Sequence, residues 1–402
     1  MGLLIASTYS CLKSKKPGIP DNIIETLNQS GIYKPGYMKC ILTFQSPDDS
    51  LKLKALYYLI GNLQTNYSIT HTLVDSSDSE IVINIDDFND LKSLMDYRDS
   101  IENSNGILHY KTDSISLDFK NLKAEYIINH INLTWKIYLA GHAMKYKFNN
   151  FCDYILPYRV ANEVVEDYVS HFQEKYTTLM DSSINIEYAA NQINHEINNG
   201  FLYDDRLEFN PNYHSIPELE KSKRGKLKDL CIYKIKALRS IGIAATMDYT
   251  PIIGSTNLGY YSVTVILPNN EKIYLSGPKK IDLPYGNGNV AKVYRRMFHE
   301  VPDCLFAIKD ESLHTPSFIG NYSYSDVTSE YISTSDTTIS VPDSIDIVYL
   351  AIPNDKELVA IDWSLVDTAG NALFKDLGLG LEFTPVIVSN KKLVIVGSSF
   401  NL

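Results

Sequence analysis

The sequence is poor in the residue patterns that build metal centres and disulfide frameworks. Its five cysteines include no CxxC pair, and its nine histidines form no HExxH motif and no close pair on one helical face. A structural zinc site needs thiolate and imidazole ligands at short, regular spacings, and a disulfide scaffold usually has an even number of cysteines. We therefore expect no metal site, no cofactor and no disulfide framework, and we interpret the scattered histidines as surface or core residues.

The chain also lacks an excess of positive charge and any long hydrophobic run. Its 37 Lys and Arg residues stand against 48 Asp and Glu, which gives a net charge of −11. Such a charge repels nucleic-acid phosphates and anionic membrane surfaces, so we expect no nucleic-acid partner. No apolar stretch is long enough to span a bilayer. With 402 residues and 44% hydrophobic content, the chain has enough material for two or three domains.

Residues 1–20, MGLLIASTYSCLKSKKPGIP, resemble the end of a bacterial lipoprotein signal peptide followed by a tether. The apolar run from Leu3 to Ala6 precedes small residues and Cys11, the candidate lipidation site. The usual basic segment before the apolar run is missing, so the alternative is a frayed apolar tail. The lipoprotein interpretation predicts a bacterial cell-envelope protein, facing the periplasm or the surface, that meets the membrane only through a lipid on Cys11.

Hydrophobic periodicity predicts an α+β chain with three folded parts. Residues 21–147 show helical spacing, as in DSLKLKALYYLIGNL, and predict a helical N-terminal domain. Residues 148–320 open with a junction at which Pro157 interrupts the helical pattern and Arg159 follows. An arginine at such a junction more commonly links two domains structurally than takes part directly in function. Residues 321–402 contain short alternating stretches such as DIVYLAIP and KKLVIVGSSF, which predict a small β-sandwich.

The segment KSKRGKLKDLCIYKIKALRSIGIAATMDYTP predicts a glycine-containing turn, an amphipathic helix and a strand, and YYSVTVIL predicts a second strand. Papain-like and transglutaminase-like folds carry a reactive thiol at the N-terminus of such a helix. Unpaired N–H groups and the helix dipole stabilise thiolate there, and a histidine on a nearby strand completes the pair. Cys231 is the cysteine of this helix and is therefore the candidate nucleophile.

Six ordered segments carry a resemblance to a known family: LKLKALYYLIGNLQTNYS, FCDYILPYRVANE, ALRSIGIAATMDYTP, AKVYRRMF, SDVTSEY and ALFKDLGLGLEFTPVIV with SSFNL. The chain resembles the transglutaminase-domain proteins of Bacteroidetes, often lipoproteins, over nearly its whole length, and FCDYILPYR is particularly specific. The resemblance implies a helical N-terminal domain, a transglutaminase-like (papain-like) α+β core and a C-terminal β-sandwich.

The resemblance also implies that this member has lost its catalytic positions. In the family the helix opens R-x-G-x-C-x-D and the later strand opens G-H-S-W-N. Here the cysteine position holds Leu227, two residues before the matching Asp229, and the histidine position holds Tyr260. Neither a leucine nor a neutral phenol can replace the nucleophile or the base near neutral pH.

The neighbouring positions follow the family's motif in part. Gly225 matches the family's glycine, but the arginine position holds Lys223, and Arg224 comes one residue late. Asp282, in KKIDLP, is a candidate remnant of the third triad position, as Asp229 is of the helix motif. Without the family's histidine, Asp282 has no catalytic base to orient.

The preferred functional interpretation is therefore a pseudoenzyme. We expect a degenerate cleft that binds a peptide, protein or glycan, with Tyr260, Tyr261 and Arg224 as the ligand-binding residues. Tyrosine offers both stacking area and a hydroxyl group, which suits either class of ligand.

Two alternatives stay open. In the first, the chain is an active cysteine hydrolase or acyltransferase that uses Cys231 and a histidine such as His214 or His299. Cys231 lies about one helical turn, about 6 Å, beyond Leu227, so it gains less from the helix terminus, and we interpret it as a core cysteine. In the second alternative, the chain is a structural scaffold whose cleft is filled by Leu227 and Tyr260.

Overall fold

The computed structural model describes residues 18–181, 183–253, 259–277, 290–309, 313–316, 319–342, 344–354 and 357–402. It has a mixed α+β architecture with several small sheets, which confirms the predicted α+β class. The helices are α1 Asp21–Gln29, α2 Lys34–Thr43, α3 Ser50–Gly61, α4 Leu91–Asn105, α5 Ala124–Tyr138, α6 Phe148–Tyr154, α7 Tyr168–Tyr176, α8 Ile186–Gly200, α9 Ile216–Ser222, α10 Leu227–Ser240 and α11 Leu305–Ile308. Within the described ranges, every helix is too short or too polar to cross a membrane.

Sixteen strands accompany these helices in the described residues. They are β1 Tyr67–Val74, β2 His109–Leu117, β3 Leu202–Tyr203, β4 Arg224–Gly225, β5 Ala245–Thr250, β6 Tyr260–Ile266, β7 Lys272–Leu275, β8 Tyr294–Arg296, β9 Tyr324–Asp326, β10 Thr334–Ser340, β11 Ile347–Asn354, β12 Glu357–Leu365, β13 Asn371–Gly378, β14 Glu382–Ser389, β15 Lys392–Ile395 and β16 Phe400–Asn401.

The N-terminal part is mainly helical, but it contains a two-stranded antiparallel sheet that the sequence analysis missed, and helix α4 lies between its strands in the chain. Strands β1 and β2 pair antiparallel, from Tyr67 opposite Leu117 to Val74 opposite His109. Most residues of both strands are exposed or half-buried. Hydrophobic alternation marks a strand only when one face is buried, so these two strands gave a weak pattern.

Arg159 connects the junction after α6 to Asp118, the residue that directly follows β2. Its Nε and Nη2 atoms donate to Asp118 Oδ2 and Oδ1 at 2.8 and 2.6 Å, and its Nη1 donates to the Glu163 carbonyl oxygen at 2.7 Å. Both charged side chains are buried. Such a bidentate pair fixes orientation as well as distance, which is the tying role expected for this arginine.

Helix α10 is buried along nearly its whole length and packs against α7 and α8 and against strands β5 and β6. Its two buried lysines near the middle have acceptors: Lys234 Nζ donates to Asn198 Oδ1 at 2.6 Å, and Lys236 Nζ donates to Glu166 Oε2 at 2.9 Å. Buried charges persist when they are paired and hydrogen-bonded in this way. Packing and pairing therefore hold α10 in a fixed position.

The central sheet consists of five antiparallel strands in the order β7-β6-β5-β8-β9. Successive side chains of a strand point to opposite faces, and one face of β5 and β6 is apolar. That face carries Ala245, Met247, Val263 and Val265, which belong to the same buried core as α10. The other face is polar and includes Asp248, whose carboxylate accepts from Arg295 Nε at 3.0 Å and Nη2 at 2.7 Å.

The C-terminal strands form two small sheets. Strand β10 pairs with β13, and the second sheet has the order β12-β11-β14-β15, with β16 beside β14. Buried apolar side chains from both sheets share one cluster, which includes Val348, Leu350, Ile352, Ile361, Phe374, Leu377 and Phe383. The alternating pattern predicted strands from about residue 322 onward, and the described regular elements there are strands except for a 3-10 helix at Thr328–Glu330.

Buried cores cross both of the predicted domain boundaries. One cluster extends from Ile23 to Phe298 and therefore spans the boundary between residues 147 and 148. Strand β9 lies beyond the predicted start of the last domain at residue 321, yet it pairs with β8 of the central sheet. Tyr294 on β8 also shares a core with Tyr349 on β11. The three parts are thus joined by continuous packing.

Candidate functional site

The carboxylate of Glu208 lies at the N-terminus of α10. Leu227 is the first residue of the helix and is 5% exposed. Its backbone N–H donates to Glu208 Oε1 at 2.8 Å, and burial raises the pKa of the Glu208 carboxyl. A helix N-terminus favours negative charge, and here Glu208 uses part of that stabilisation.

The strand opposite α10 presents Tyr261, and not Tyr260, to the helix. The register pairs Tyr261 with Tyr249, on the apolar face, and Tyr260 with Thr250, on the polar face. The Tyr260 side chain is buried at 2% exposure, whereas Tyr261 is half-buried. Side-chain alternation therefore places Tyr260, which the resemblance matches to a histidine, on the opposite face of β6 from Tyr261, although the buried Tyr260 ring belongs to the same core cluster as α10.

Cys231 has the environment of a core thiol. Its Sγ donates to the Tyr261 carbonyl oxygen at 3.6 Å, and its side chain is buried. Burial raises the pKa of the thiol to about 12, although Lys234 acts to lower it. No histidine of the described residues lies within hydrogen-bonding distance of the sulfur. A thiol with such a pKa holds almost no thiolate near pH 7.

The two histidines considered as partners of Cys231 bind carboxylates instead. His214 Nδ1 lies 2.6 Å from Asp229 Oδ2, which brings together two residues that the sequence analysis named separately. His299 Nδ1 lies 3.2 Å from Asp153 Oδ1, beside α6. Asp229 and Cys231 are two residues apart on α10 and so do not share a helical face. The dyad of His214 and Asp229 therefore points away from the thiol.

Beside this dyad lie four half-buried tyrosines, of which two contact Lys228, one contacts Arg296 and one stacks on its neighbour; Lys226 Nζ also lies 5.4 Å from the centre of the Tyr213 ring. We call Tyr213, Tyr249, Tyr261 and Tyr322 the tyrosine cluster. Lys228 Nζ lies 4.7 Å from the centre of the Tyr213 ring and 5.2 Å from that of Tyr261, and the Tyr249 ring stacks on Tyr261 at 4.6 Å. The guanidinium of Arg296, at the end of β8, lies 4.0 Å from the centre of the Tyr322 ring. Lys228 and Arg296 are themselves half-buried, so this aromatic and cationic surface is within reach of solvent.

The two cations of this surface affect each other. Burial, and next the positive charge of Arg296, lower the pKa of the Lys228 ammonium to about 8, and nearby carboxylates only partly offset these effects. Arg296 Nη2 donates to Asn162 Oδ1 at 3.1 Å. Within the described parts of the chain, no carboxylate lies within 4.0 Å of either cation. The sequence analysis missed Lys228, Arg296 and Tyr213. The one available signal in the sequence was that Lys228 directly follows Leu227.

The remaining candidate residues fall elsewhere. Arg224 lies on β4 and forms ion pairs with Asp86 and, at 3.8 Å, with Asp204. Its guanidinium is therefore occupied by these two carboxylates, before the start of α10. Asp282 and Cys11 lie outside the described residues.

A cavity of about 580 Å³ lies where β8 and β9 meet β12 and β13. Its buried lysine is paired with two carboxylates. Lys292 Nζ donates to Asp326, to Asp362 Oδ2 at 3.1 Å and to the Lys375 carbonyl oxygen at 2.5 Å. Burial would lower the pKa of Lys292, but Asp362 and Asp326 raise it. This ammonium donates to three acceptors, so we interpret it as a structural tie.

Comparison with known proteins adds no relative. Across the described ranges, no group of three His, Cys, Asp or Glu side chains could hold a metal ion. No family model, no curated protein and no solved structure matches this chain.

Proposed function

We propose that this chain is a non-catalytic transglutaminase-like protein of the bacterial cell envelope that binds a peptide or glycan beside the N-terminus of α10. The packing of α10 on the antiparallel strands β5 and β6 supports a transglutaminase-like core. The two C-terminal sheets, with their shared apolar cluster, support a β-sandwich.

The absence of catalysis is supported by the residues at the helix terminus. Leu227 occupies the nucleophile position, Glu208 accepts from its N–H, and the nearest thiol, Cys231, has a pKa raised to about 12. An attacking thiolate needs an electropositive, partly exposed site. Neither condition holds around Cys231, so the hydrolase alternative has little support.

The single observation that carries ligand binding is the tyrosine cluster with its two cations. Half-buried aromatic rings and cations that converge beside a closed catalytic position provide contact area and charge for a ligand. Leu227 and Tyr260 are both buried. This is what the scaffold alternative expects, in which these two side chains fill the cleft. The ligand surface is therefore displaced toward Lys228 and Tyr261.

Ligand binding is tested with the full chain carrying Cys11→Ser, labelled with a dye and applied to peptide arrays and glycan arrays. We expect a defined set of bound probes that Tyr261→Ala removes. The matched control is Tyr188→Ala, on exposed α8 surface, which should leave the set unchanged. Silence of both arrays, or binding that Tyr261→Ala does not alter, would contradict the proposal and favour the scaffold alternative.

The envelope assignment is tested separately through Cys11. Cells that express the chain from its natural gene are fed a clickable fatty acid, and the protein should take up the label unless it carries Cys11→Ser. Wild-type protein that takes up no label and fractionates without membranes would contradict the lipid anchor.

A further inference from the structure

We infer that the ligand is an acidic peptide whose carboxylate binds between Lys228 and Arg296. This inference rests on the proposed function, because it names the ligand of the same surface. It depends on the two cations, on the covered faces of the tyrosine rings and on the balance of charge around them.

In the described ranges, Lys228 and Arg296 lack the carboxylate partner that four buried cations of this protein have. Arg159, Lys236, Lys292 and Arg295 each form an ion pair with a carboxylate. Three other buried cations bond only to neutral oxygens, namely Lys226, Lys234 and Arg239. Lys228 Nζ has no hydrogen-bond acceptor among the described residues, and Arg296 has the neutral amide of Asn162. Desolvated cations without a counter-ion are unfavourable. A carboxylate placed between them would receive charge-assisted hydrogen bonds from both.

The tyrosine rings favour a peptide over a glycan. Sugars stack on open aromatic faces, but Lys228 lies over Tyr213 and Tyr261, the Tyr249 ring covers Tyr261, and Arg296 lies over Tyr322. Each of these rings is thus already in contact with a cation or with another ring. An aspartate or glutamate side chain, or the C-terminal carboxylate of a peptide, needs the cations and not the ring faces.

Carboxylate binding at this place should be coupled to proton uptake. The free Lys228 ammonium has a pKa near 8, and a bound anion would raise it, since an opposite charge favours the charged form. The affinity should therefore fall as the pH rises through 8, while the peptide carboxylates remain ionised. The charged and titratable groups that face Lys228 from the surrounding elements are Tyr213, Tyr261, Arg296, Glu163, Glu208 and Asp229.

The test uses three N-terminally labelled peptides with a neutral dye and the full chain carrying Cys11→Ser. The first contains the core Gly-Glu-Glu-Gly with an amidated C-terminus, the second replaces both glutamates by glutamine, and the third is the glutamine peptide with a free C-terminal carboxylate. Binding is measured by fluorescence polarisation at pH 7 and pH 9. An oligosaccharide of uronic acids serves as an unlabelled competitor.

We expect the glutamate peptide to bind at least about tenfold more tightly than its glutamine counterpart. Lys228→Gln should weaken this binding by about 10- to 100-fold, the value of one charge-assisted hydrogen bond. Lys54→Gln, the same change on exposed α3 surface, should have no effect. Raising the pH from 7 to 9 should weaken the wild-type complex by up to about tenfold and leave the Lys228→Gln complex unchanged. Binding of the third peptide would show that a chain terminus suffices, and its failure would assign the site to acidic side chains.

Several outcomes would overturn the inference. Equal binding of the glutamate and glutamine peptides would show that the carboxylate is not recognised, and it would leave the proposed function unaffected. Displacement by the uronic-acid oligosaccharide at concentrations well below those of free peptide would replace the peptide by an acidic glycan. If neither labelled glutamate peptide nor carboxylate-terminated peptide binds at millimolar concentration, the inference is wrong, and the charge-independent arrays decide the proposed function.

Discussion

His214 Nδ1 lies 2.6 Å from Asp229 Oδ2, so the histidine that precedes α10 in the chain is oriented by an acid on that helix. The Asp229 side chain is fully buried, and that of His214 is 25% exposed. This geometry resembles the histidine and acid of a catalytic triad. The thiol two residues further along the helix lies on a different face and contacts the carbonyl oxygen of Tyr261. The base and its acid are therefore present without a nucleophile in line.

Cys231 should resist alkylation in the folded protein. Because burial raises the pKa of its thiol to about 12, iodoacetamide at about pH 7 should modify it more slowly than a cysteine in an unstructured peptide. Peptide mapping by mass spectrometry after timed exposure measures the rate, with guanidinium-unfolded protein as the control. Fast, stoichiometric labelling that His214→Ala abolishes would restore the hydrolase alternative.

Rebuilding a reactive thiol should require changes at Tyr261 and Glu208 as well as at Leu227. In Leu227→Cys with Tyr261→His, the Glu208 carboxylate still faces the helix terminus and disfavours thiolate. Adding Glu208→Gln should speed alkylation of the new thiol by about tenfold, the effect of one pKa unit. The comparison variant, Leu227→Cys with Tyr260→His, should react no faster than Leu227→Cys alone. A faster reaction with Tyr260→His would show that β6 presents the other face to α10.

Breaking the pair between Asp118 and Arg159 should strongly destabilise the protein. Asp118→Asn leaves the buried guanidinium without its counter-charge, and such a loss costs about 3–5 kcal/mol. Chemical denaturation with urea measures the change. The matched control is Glu125→Gln, which removes an exposed pair with Lys39 at 3.7 Å and should cost less than about 0.5 kcal/mol. Similar losses for both variants would argue against the tying role.

Glu163 should contribute stability that acid removes. Burial would raise the pKa of its carboxyl, but Lys236, Arg159 and the N–H groups of Val160 and Ala161 outweigh burial and lower that pKa from 4.5 to about 2. A carboxyl whose pKa is lower in the folded than in the unfolded state stabilises the fold at pH values above the unfolded-state pKa. This contribution is on the order of 3 kcal/mol and is lost as the pH falls from about 4.5 toward 2.

The comparison for this pH dependence is Glu163→Gln, measured by thermal unfolding at several pH values. The difference in stability between wild type and variant should be large at pH 6 and shrink steadily below pH 4.5. Glu174→Gln, on the exposed side of α7, serves as the control. A difference that does not change with pH would mean that the carboxylate charge is unimportant there.

Truncation should be more harmful before Tyr322 than after Ile332. The shorter chain loses strand β9 from the central sheet and the ring that contacts Arg296, whereas the longer chain keeps both. Both chains expose apolar side chains that contact the C-terminal sheets, such as Tyr294. We expect both to melt below the full chain and the shorter one to aggregate in size-exclusion chromatography. A monomeric shorter chain with an unchanged Tm would contradict this.

Local patterns in the sequence were sufficient to locate α10 and β6. The apolar spacing predicted a helix that begins at Leu227, and the structure has Leu227–Ser240. The predicted strand YYSVTVIL corresponds to Tyr260–Ile266. Matching a motif position by counting did not fix its face, however. A shift of one residue inverts the direction of a strand side chain, and this is the difference between Tyr260 and Tyr261.

The proposed ligand surface could not be predicted in the same way. Tyr213, Lys228 and Arg296 come from a loop, a helix and a strand, and only packing brings them together. Each residue separately looks like an ordinary surface residue. The sheet of β1 and β2 was missed for a related reason, because its half-exposed faces carry little of the alternation that reveals a strand.

The Lys292 tie limits how this protein can be rearranged by recombination. One ammonium joins Asp326 at the end of β9, Asp362 on β12 and the Lys375 carbonyl on β13. If another C-terminal domain replaced these strands in a chimaera, Lys292 would lose its partner Asp362, unless the new domain supplied a carboxylate at the same place. We therefore do not expect the last strands to be exchangeable for those of another protein without a loss of stability.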